Sequence, residues 1–561
     1  MTRSVRLRPW QKRALDQLGA TEGVDFLAVA TPGAGKTTFA LTAARLELAK
    51  RGLKRVVVVV PTQHLKHQWA DAAARFDLHL EPRWSADDGL PADVHGVVVT
   101  YQQVASSAKA LLPLTDRCFA VFDELHHAGD DRAWGAGIVA AFAGAGRRLA
   151  LSGTPFRSDT RAIPFVTYRL EEAVADFEYG YGDALTDGSV VRPVYFPRLN
   201  GEMEWSAPDG SLYTATFDDP LTRQLANQRL RTALSVEGEW LPSVLAQANR
   251  ELQRLRERHR DAGGLVIAID QEHARAIAEL LRDRFGTRSV VATSDDPDAS
   301  DHIARFARSE VPWIVAVRMV SEGVDIPRLR VGVFATNTTT ELFFRQAVGR
   351  LVRWTAGLGR QRAYLFLPDD IRLRTYAQQL ADSRRHSLRK RREDLGGDDD
   401  RSEADPEAFD KPAEAGDPEQ LSLFQALSAT PLGGPVDFVE GFSDGLADDL
   451  ADDLADDSAN EFGDHSADDP ALLLTLAPAP TLGSLPGGAT PADARKQRQE
   501  LRDLNQVMAA DLVFRSGLSH AKVNAELNRR AGIRKVTEAT SRELQRRLDV
   551  ARRWADTLRR R

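Results

Sequence analysis

The sequence predicts an α/β protein: two tandem domains built on doubly wound parallel sheets, then an acidic linker and a small helical C-terminal domain. Three observations carry that prediction. Short apolar runs such as Val56-Val57-Val58-Val59-Val60 have no polar alternation, the pattern of strands buried on both faces, and they alternate with helical periodicity. The alternation occurs twice, over residues 26–151 and again over 265–367. One loop, Ala30-Thr31-Pro32-Gly33-Ala34-Gly35-Lys36-Thr37-Thr38, joins a strand to a helix with glycines where a phosphate cradle needs them.

At 561 residues the chain exceeds a single core. The expected divisions are 1–160, a bridging region 161–262, a second α/β domain 263–392, an acidic low-complexity linker 393–492 and a basic helical domain 493–561. No apolar run reaches the ~18–20 residues of a membrane span, and the start lacks a signal-peptide core, so no membrane partner and a cytoplasmic location are expected. The single cysteine, Cys118, excludes an intrachain disulfide and a Cys-rich zinc site; core packing is its expected role.

Taken in order, residues 5–18 read as a helix begun by Pro9 near its first turn. Its Gln11 carries an amide that could match the edge of adenine, or could simply face solvent. The strand Phe26-Leu27-Ala28-Val29-Ala30 leads into the loop. Gly33 and Gly35 let the backbone curl so that N–H groups converge on a phosphate, and the following helix adds its own exposed donors. Lys36 would reach the β/γ-phosphates and the Thr37 hydroxyl would hold Mg²⁺, with Thr31, Pro32, Ala34 and Thr38 completing the cradle. ATP and Mg²⁺ are therefore the expected cofactors. Ala30 stands where the common pattern begins with glycine.

Further strands at 56–60, 97–101, 119–122 and 149–151 each end in polar residues: Pro61-Thr62, Thr100-Tyr101-Gln102, Asp123-Glu124 and Ser152-Gly153-Thr154. Ligands of such sheets bind off the carboxyl ends of the strands. The adjacent carboxylates can divide two tasks, Asp123 holding the metal and Glu124 orienting and deprotonating water. Asp183–Pro193 reads as a short helix, a turn and an extended exit, and Leu221–His259 as largely helical. A second strand series follows at 265–269, 290–292, 314–317, 331–334 and 364–367. It carries no second phosphate loop, so this half can lend residues to a nucleotide site without cradling phosphates.

Charge is segregated. Residues 393–469 hold 25 acidic side chains against Arg401 and Lys411, which leaves the rest of a −7 chain at +16. Within that stretch Leu-Ala-Asp-Asp repeats in tandem from Leu446, Leu450 and Leu454; carboxylate repulsion argues for a disordered linker, with a transient partner-binding helix as the alternative. Residues 495–561 carry 18 Arg/Lys against 8 Asp/Glu with helical periodicity, a three- or four-helix unit suited to nucleic acid or to a protein partner.

Asp123-Glu124-Leu125-His126 together with the loop at 30–38 resembles the DEAD/DEAH group of superfamily 2 helicases and translocases, and the resemblance runs in order over residues 5–370. It implies two RecA-like domains. Arg8-Pro9-Trp10-Gln11 is similar to the family's adenine-reading motif. Pro61, Thr62, Thr100 and Gln102 correspond to strand-gripping motifs, and His126, Ser152 and Thr154 to motifs that couple hydrolysis to domain movement. Ser321–Pro327, with Gly323 and Asp325, and Gln346–Arg353 match the two nucleotide-facing motifs of the second domain. There Gln346, Arg350 and Arg353 would act on the nucleotide, the arginines stabilising γ-phosphate charge. The wording around His126 is similar to restriction-enzyme motor subunits and excision-repair translocases rather than to the RNA-remodelling branch. The implied function is an ATP-dependent nucleic-acid motor, with DNA ahead of RNA as its track. An RNA helicase or remodeller and an ATP-switched scaffold subunit of a DNA restriction or defence complex are the alternatives, and the linker or the C-terminal domain could receive a protein partner.

Overall fold

The computed structural model describes residues 3–87, 89–129, 132–153, 163–169, 172–188, 190–207, 210–293, 296, 299–317, 326–355, 357–359, 361–394, 425–436, 473–476 and 491–559. The chain falls into two compact units. Met1–Val29, Gly35–Glu178 and Asp469–Arg561 form the first, Ala30–Ala34 and Tyr179–Asp468 the second.

The first unit is built on a seven-stranded sheet with spatial order Phe177–Tyr179, Asp25–Ala30, Arg147–Ser152, Phe119–Phe122, Val56–Val60, Gly96–Thr100, Leu80–Glu81. From Asp25–Ala30 to Leu80–Glu81 every ladder is parallel, with Val58 between Val98 and Val121. Every residue of Val56–Val60 is buried, which is why the run lacks alternation. Because the strands are parallel, the residues that follow them collect at one edge of the sheet. Cys118 packs in this core beside Ala120 and Phe142, and burial pushes its thiol up to about 12. The helix Pro9–Ala20 is tied to the sheet by the buried Arg147, whose guanidinium donates to Leu18 O (2.7 Å) and Thr21 O (3.0 Å) at that helix's carboxyl end.

The second unit carries a sheet ordered Leu212–Thr216, Arg198–Ser206, Ala363–Pro368, Leu329–Ala335, Gly263–Ala268, Trp313–Ala316, Ser289–Ala292. Ala363–Pro368 to Ser289–Ala292 pair in parallel. The bridging region expected over 161–262 is divided. Its strands Arg198–Ser206 and Leu212–Thr216 extend this second sheet, and Trp205, Leu241, Val244 and Leu252 share one core with Val266, Val315 and Val333. Apolar residues alternate along Arg198–Ser206, where Leu199, Met203 and Trp205 are buried, the period-2 signal of a strand with one face on the core.

Two segments within the expected 393–492 stretch are strands. Gln425–Val436 pairs antiparallel with Arg198–Ser206 in the second unit, and Leu473–Leu476 pairs antiparallel with Arg3–Arg6 in the first. Both lie in the charge-free windows 420–436 and 470–492 of an otherwise acidic stretch, where no carboxylate has to be desolvated.

The C-terminal segment, grouped with the first unit, forms three helices, Pro491–Ser516, His520–Ala531 and Ser541–Arg559. They close around Leu512, Val523, Leu527 and Ala551. A buried guanidinium holds the three together: Arg547 donates to Asn505 (2.9 Å), Asn524 (2.6 Å) and Asn528 (2.8 Å). Arg498 reaches out of the first of these helices and is buried against His79 (3.1 Å) and the Asp93 carboxylate. Among the described residues no helix is long and apolar enough to cross a membrane.

Candidate nucleotide site

At the carboxyl edge of the first sheet, Asp25–Ala30 gives way to the glycine loop and Lys36 opens the helix Lys36–Arg51. Gly33 and Gly35 have φ of +82° and +92°, which a side chain would strain. Thr31 O accepts from Ala34 N (3.1 Å) and Gly35 O from Phe39 N (3.2 Å), so the turn runs directly into helical bonding. Thr37 and Thr38 are half-buried in the helix's first turn. Gln11 is 2% exposed, and its amide accepts from Arg8 N (2.8 Å) and donates to Gly35 O (3.0 Å). A Cβ at Gly35 would lie 2.8 Å from the Gln11 amide nitrogen. Gln11 thus braces the loop from behind, a contact that sequence spacing does not reveal.

Lys36 Nζ lies 3.1 Å from Glu124 Oε1. The other carboxylate oxygen of Glu124 accepts from Gly153 N at 3.0 Å and is 3.7 Å from His126 Nδ1. Glu124 also takes φ of +49°, a left-handed backbone in a residue that carries a Cβ, directly after the strand Phe119–Phe122. Such strain persists where the surroundings over-determine it and clusters at functional sites. Its neighbour Asp123 is fixed by Trp69 Nε1, which donates to Oδ2 at 2.7 Å, while the Asp123 carbonyl accepts from Tyr101 Oη at 2.9 Å.

The two carboxylates diverge electrostatically. Burial, reinforced by the charge of Glu124, raises Asp123 to about 6. Burial also pushes Glu124 upward, but Lys36, His126 and the Gly153 N–H outweigh it and hold that group down at about 2. The two adjacent acids thus differ in proton affinity, the higher lying on Asp123 and the lower on the Glu124 carboxylate paired with Lys36.

Other expected site residues are placed less centrally. Ser152 is buried at the end of its strand, one residue before the N–H that binds Glu124. Pro61 and Thr62 are half-buried ahead of the helix Gln63–Ala74, and Gln102 is exposed. Thr100 is buried, and its hydroxyl accepts from Gln103 N (3.1 Å) as an N-cap. In the second unit Gln346 and Arg350 sit half-buried on the helix Glu341–Leu351, one turn apart, and Arg353 follows it, bridged antiparallel to Val191. Thr154, Gly323 and Asp325 lie outside the described residues. Trp69 and Tyr101, which position Asp123, are absent from the expected set: Trp69 lies in the middle of the helix Gln63–Ala74 and Tyr101 opens the helix Tyr101–Thr115, and each is indistinguishable by sequence from core packing.

Comparison with known proteins follows the same division. Residues 4–157 match the family described as type III restriction enzyme, res subunit, and residues 247–355 match the helicase conserved C-terminal domain. The uncharacterized protein ML1624 of Mycobacterium leprae is 38% identical over 568 residues, 97% of this chain and 93% of its own length. The uncharacterized protein Rv2917 of Mycobacterium tuberculosis is 47% identical over 390 residues, 68% of this chain, a match that spans 64% of that protein's length. A protein named DNA 3'-5' translocase XPB2, from Sulfurisphaera tokodaii, is 25% identical over 373 residues, 62% of this chain and 79% of its own. With a near full-length relative and two helicase-type domains in chain order, this chain belongs to the superfamily 2 helicases of restriction-enzyme motor type.

Proposed function

We propose that the chain is an ATP-driven nucleic-acid motor with DNA as its track, hydrolysing ATP at the carboxyl edge of the first sheet. The observation that carries this reading is the 3.1 Å contact of Lys36 with Glu124, set between a glycine loop and a second carboxylate on one sheet edge. The residues fit a magnesium nucleotide. The loop's positive-φ glycines curl its N–H groups, Trp69 orients one carboxylate, and a hydroxyl and carboxylates form the hard oxygen set that Mg²⁺ takes. Lys36 would bind the β/γ-phosphates, and Thr37 with Asp123 would hold the metal. When bound, Mg²⁺ offsets phosphate charge and favours departure of the leaving group.

Glu124 orients the attacking water and accepts its proton. While Lys36 is spent on Glu124, that carboxylate is a poor base. Transferring the ammonium to a phosphate raises its proton affinity, so substrate binding itself prepares the base. Gly153 N–H keeps the carboxylate aimed meanwhile. Arg350 and Arg353 supply fixed positive charge for the transition state, and Gln346 hydrogen-bonds beside them. Pro61, Thr62 and Gln102 are the groups offered to a strand, gripping backbone rather than bases. The preference for DNA rests on the translocase named above and on the restriction-enzyme family match.

The test is ATP turnover of the purified chain with single-stranded DNA, duplex DNA and RNA, on wild type and Glu124→Gln. DNA should stimulate wild type most, and Glu124→Gln should bind ATP without turning it over. A wild type that no nucleic acid stimulates overturns the reading; stimulation by RNA alone overturns the choice of track.

A further inference from the structure

The segment read from sequence as a turn and an extended exit, Gly188–Pro193, does more than leave a helix. Its Arg192 is fully buried in the second unit. The backbone N–H of Arg192 donates to Val352 O at 2.7 Å, and the preceding Val191 bridges Arg353. The side chain turns the other way. Nη2 donates to Pro327 O (2.8 Å) and to Thr355 Oγ1 (3.0 Å), and Nη1 to Leu329 O (3.3 Å). Thr355 Oγ1 closes the ring by donating to Pro327 O at 3.3 Å. Its backbone is clamped on both sides by the buried Gln361, which accepts from Thr355 N (3.1 Å) and donates to Thr355 O (2.7 Å).

One residue therefore ties together two stretches far apart in sequence. Pro327 lies two positions after Asp325, and Val352, Arg353 and Thr355 directly follow the helix that carries Gln346 and Arg350. A guanidinium is a rigid planar fork, so its donors fix the spacing between their acceptors in a way a flexible ammonium does not.

The arrangement is also expensive for a residue with only a packing role. The guanidinium bonds carbonyls and a hydroxyl, and its Nε is buried with no hydrogen-bond partner. Burial, with Arg330's charge adding, pushes its pKa well below the ordinary arginine value. An apolar side chain of similar volume would fill the space at less cost.

We infer that Arg192 is a positioning residue for ATP hydrolysis, locking Pro327 and Leu329 to the Val352–Thr355 segment so that the second unit holds Arg350 and Arg353 in a fixed place; this rests on the motor reading above. The arginines act on charge that develops in the transition state, while the loop of residues 30–38 binds the ground state. Loss of the lock should then fall on kcat rather than on KM.

The experiment measures DNA-stimulated kcat and KM for ATP on the full chain, per folded molecule by circular dichroism and thermal melting. The variants are Arg192→Lys, Arg192→Met, Thr355→Val and Thr355→Ser. Arg192→Lys and Arg192→Met should lose about tenfold to a hundredfold in kcat with KM nearly unchanged, as small misplacements of catalytic groups do. Thr355→Val, at a half-buried side chain, should lose kcat per folded molecule in the same direction by less, and Thr355→Ser, which keeps the oxygen, should restore it. Wild-type kcat per folded molecule in Arg192→Lys or in Thr355→Val overturns the inference. So does a loss that lies wholly in folded fraction or in KM. A wild type without nucleic-acid-stimulated turnover overturns the motor reading and the positioning role with it.

Discussion

In the first unit Glu124 touches both Lys36 and Gly153, and Trp69 holds the acid next door. In the second unit Gln346 and Arg350 lie on the helix Glu341–Leu351 and Arg353 follows it, and the backbone there is tied by the Val191 bridge and the bond from Arg192 N to Val352 O. The contrast matches what the proposed roles ask of each group. A proton acceptor needs a tuned affinity, and tuning comes from charged neighbours at hydrogen-bond distance. An arginine needs no tuning because it stays charged, so placement is the one property left to specify, and backbone ladders specify placement well.

That contrast is most directly broken at the arginines. Arg350→Ala and Arg353→Ala should each leave ATP affinity near wild type, and the one that meets the γ-phosphate should lose ~10³-fold or more in turnover, the scale of an arginine finger. Single-turnover hydrolysis measures it; full activity in both variants would mean the second unit lends no charge to the reaction. Glu124→Gln removes the tuned acceptor while keeping size and one hydrogen-bonding oxygen, and should cost about 10²–10⁴-fold in the same assay. It should also stabilise the protein less than wild type above the ordinary carboxylate range. A folded pKa near 2 contributes stability above the unfolded value that is lost as pH falls toward 2.

A smaller effect is expected where the loop meets its brace. Gly35→Ala places a Cβ 2.8 Å from the Gln11 amide at φ of +92°. Strain of this kind costs about 1–3 kcal/mol. Relief by moving the loop should weaken nucleotide binding by about tenfold, since each 1.4 kcal/mol is worth that factor. Nucleotide titration of Gly35→Ala beside Gly52→Ala, where φ is +61° but the added Cβ meets no atom within 4 Å, separates the brace from backbone strain alone.

Much of this was legible in the residues because the motifs are local. The loop at 30–38, Asp123-Glu124 and the Gln346–Arg353 stretch are each recognisable within a few positions, and the parallel strands of the first sheet bring the first two to one edge without further information. What could not be read are contacts made across sequence. Gln11 reaches Gly35 and Trp69 reaches Asp123 only after the sheet has formed, over separations of 24 and 54 residues. Arg192 reads as one more charged residue in a loop until Pro327 and Thr355 are seen around it. The strands at 425–436 and 473–476 were masked by averaging: the acidic composition of the whole stretch hid two windows without charge.

The comparison of the two units sharpens where the first unit's pH sensitivity is concerned. Arg192 in the second unit bonds neutral oxygens, whereas the buried Arg498 of the first meets a titratable pair, His79 and Asp93. His79 is held down at about 3 by burial first, then by Arg498, His95 and Arg495 nearby, with Asp93 opposing. A histidine kept neutral in the folded state binds its proton only on unfolding, so the unfolded chain takes up more protons between about 3 and 6.5 and stability falls as pH drops through that window. From pH 7 to 5 the penalty at this one site amounts to about 2 kcal/mol, since each unit is worth 1.36 kcal/mol. At pH 7.5 it is absent, which makes this the smallest effect under ordinary assay conditions. The melting temperature of wild type should decline over that interval, and His79→Gln, which keeps an acceptor for Arg498 and carries no titrating group, should flatten the decline. An equal decline in both proteins would place the acid sensitivity elsewhere. Arg498→Met should lower the melting temperature at pH 7.5 and lessen the dependence on residue 79, because the charge that adds to burial in keeping His79 neutral is gone.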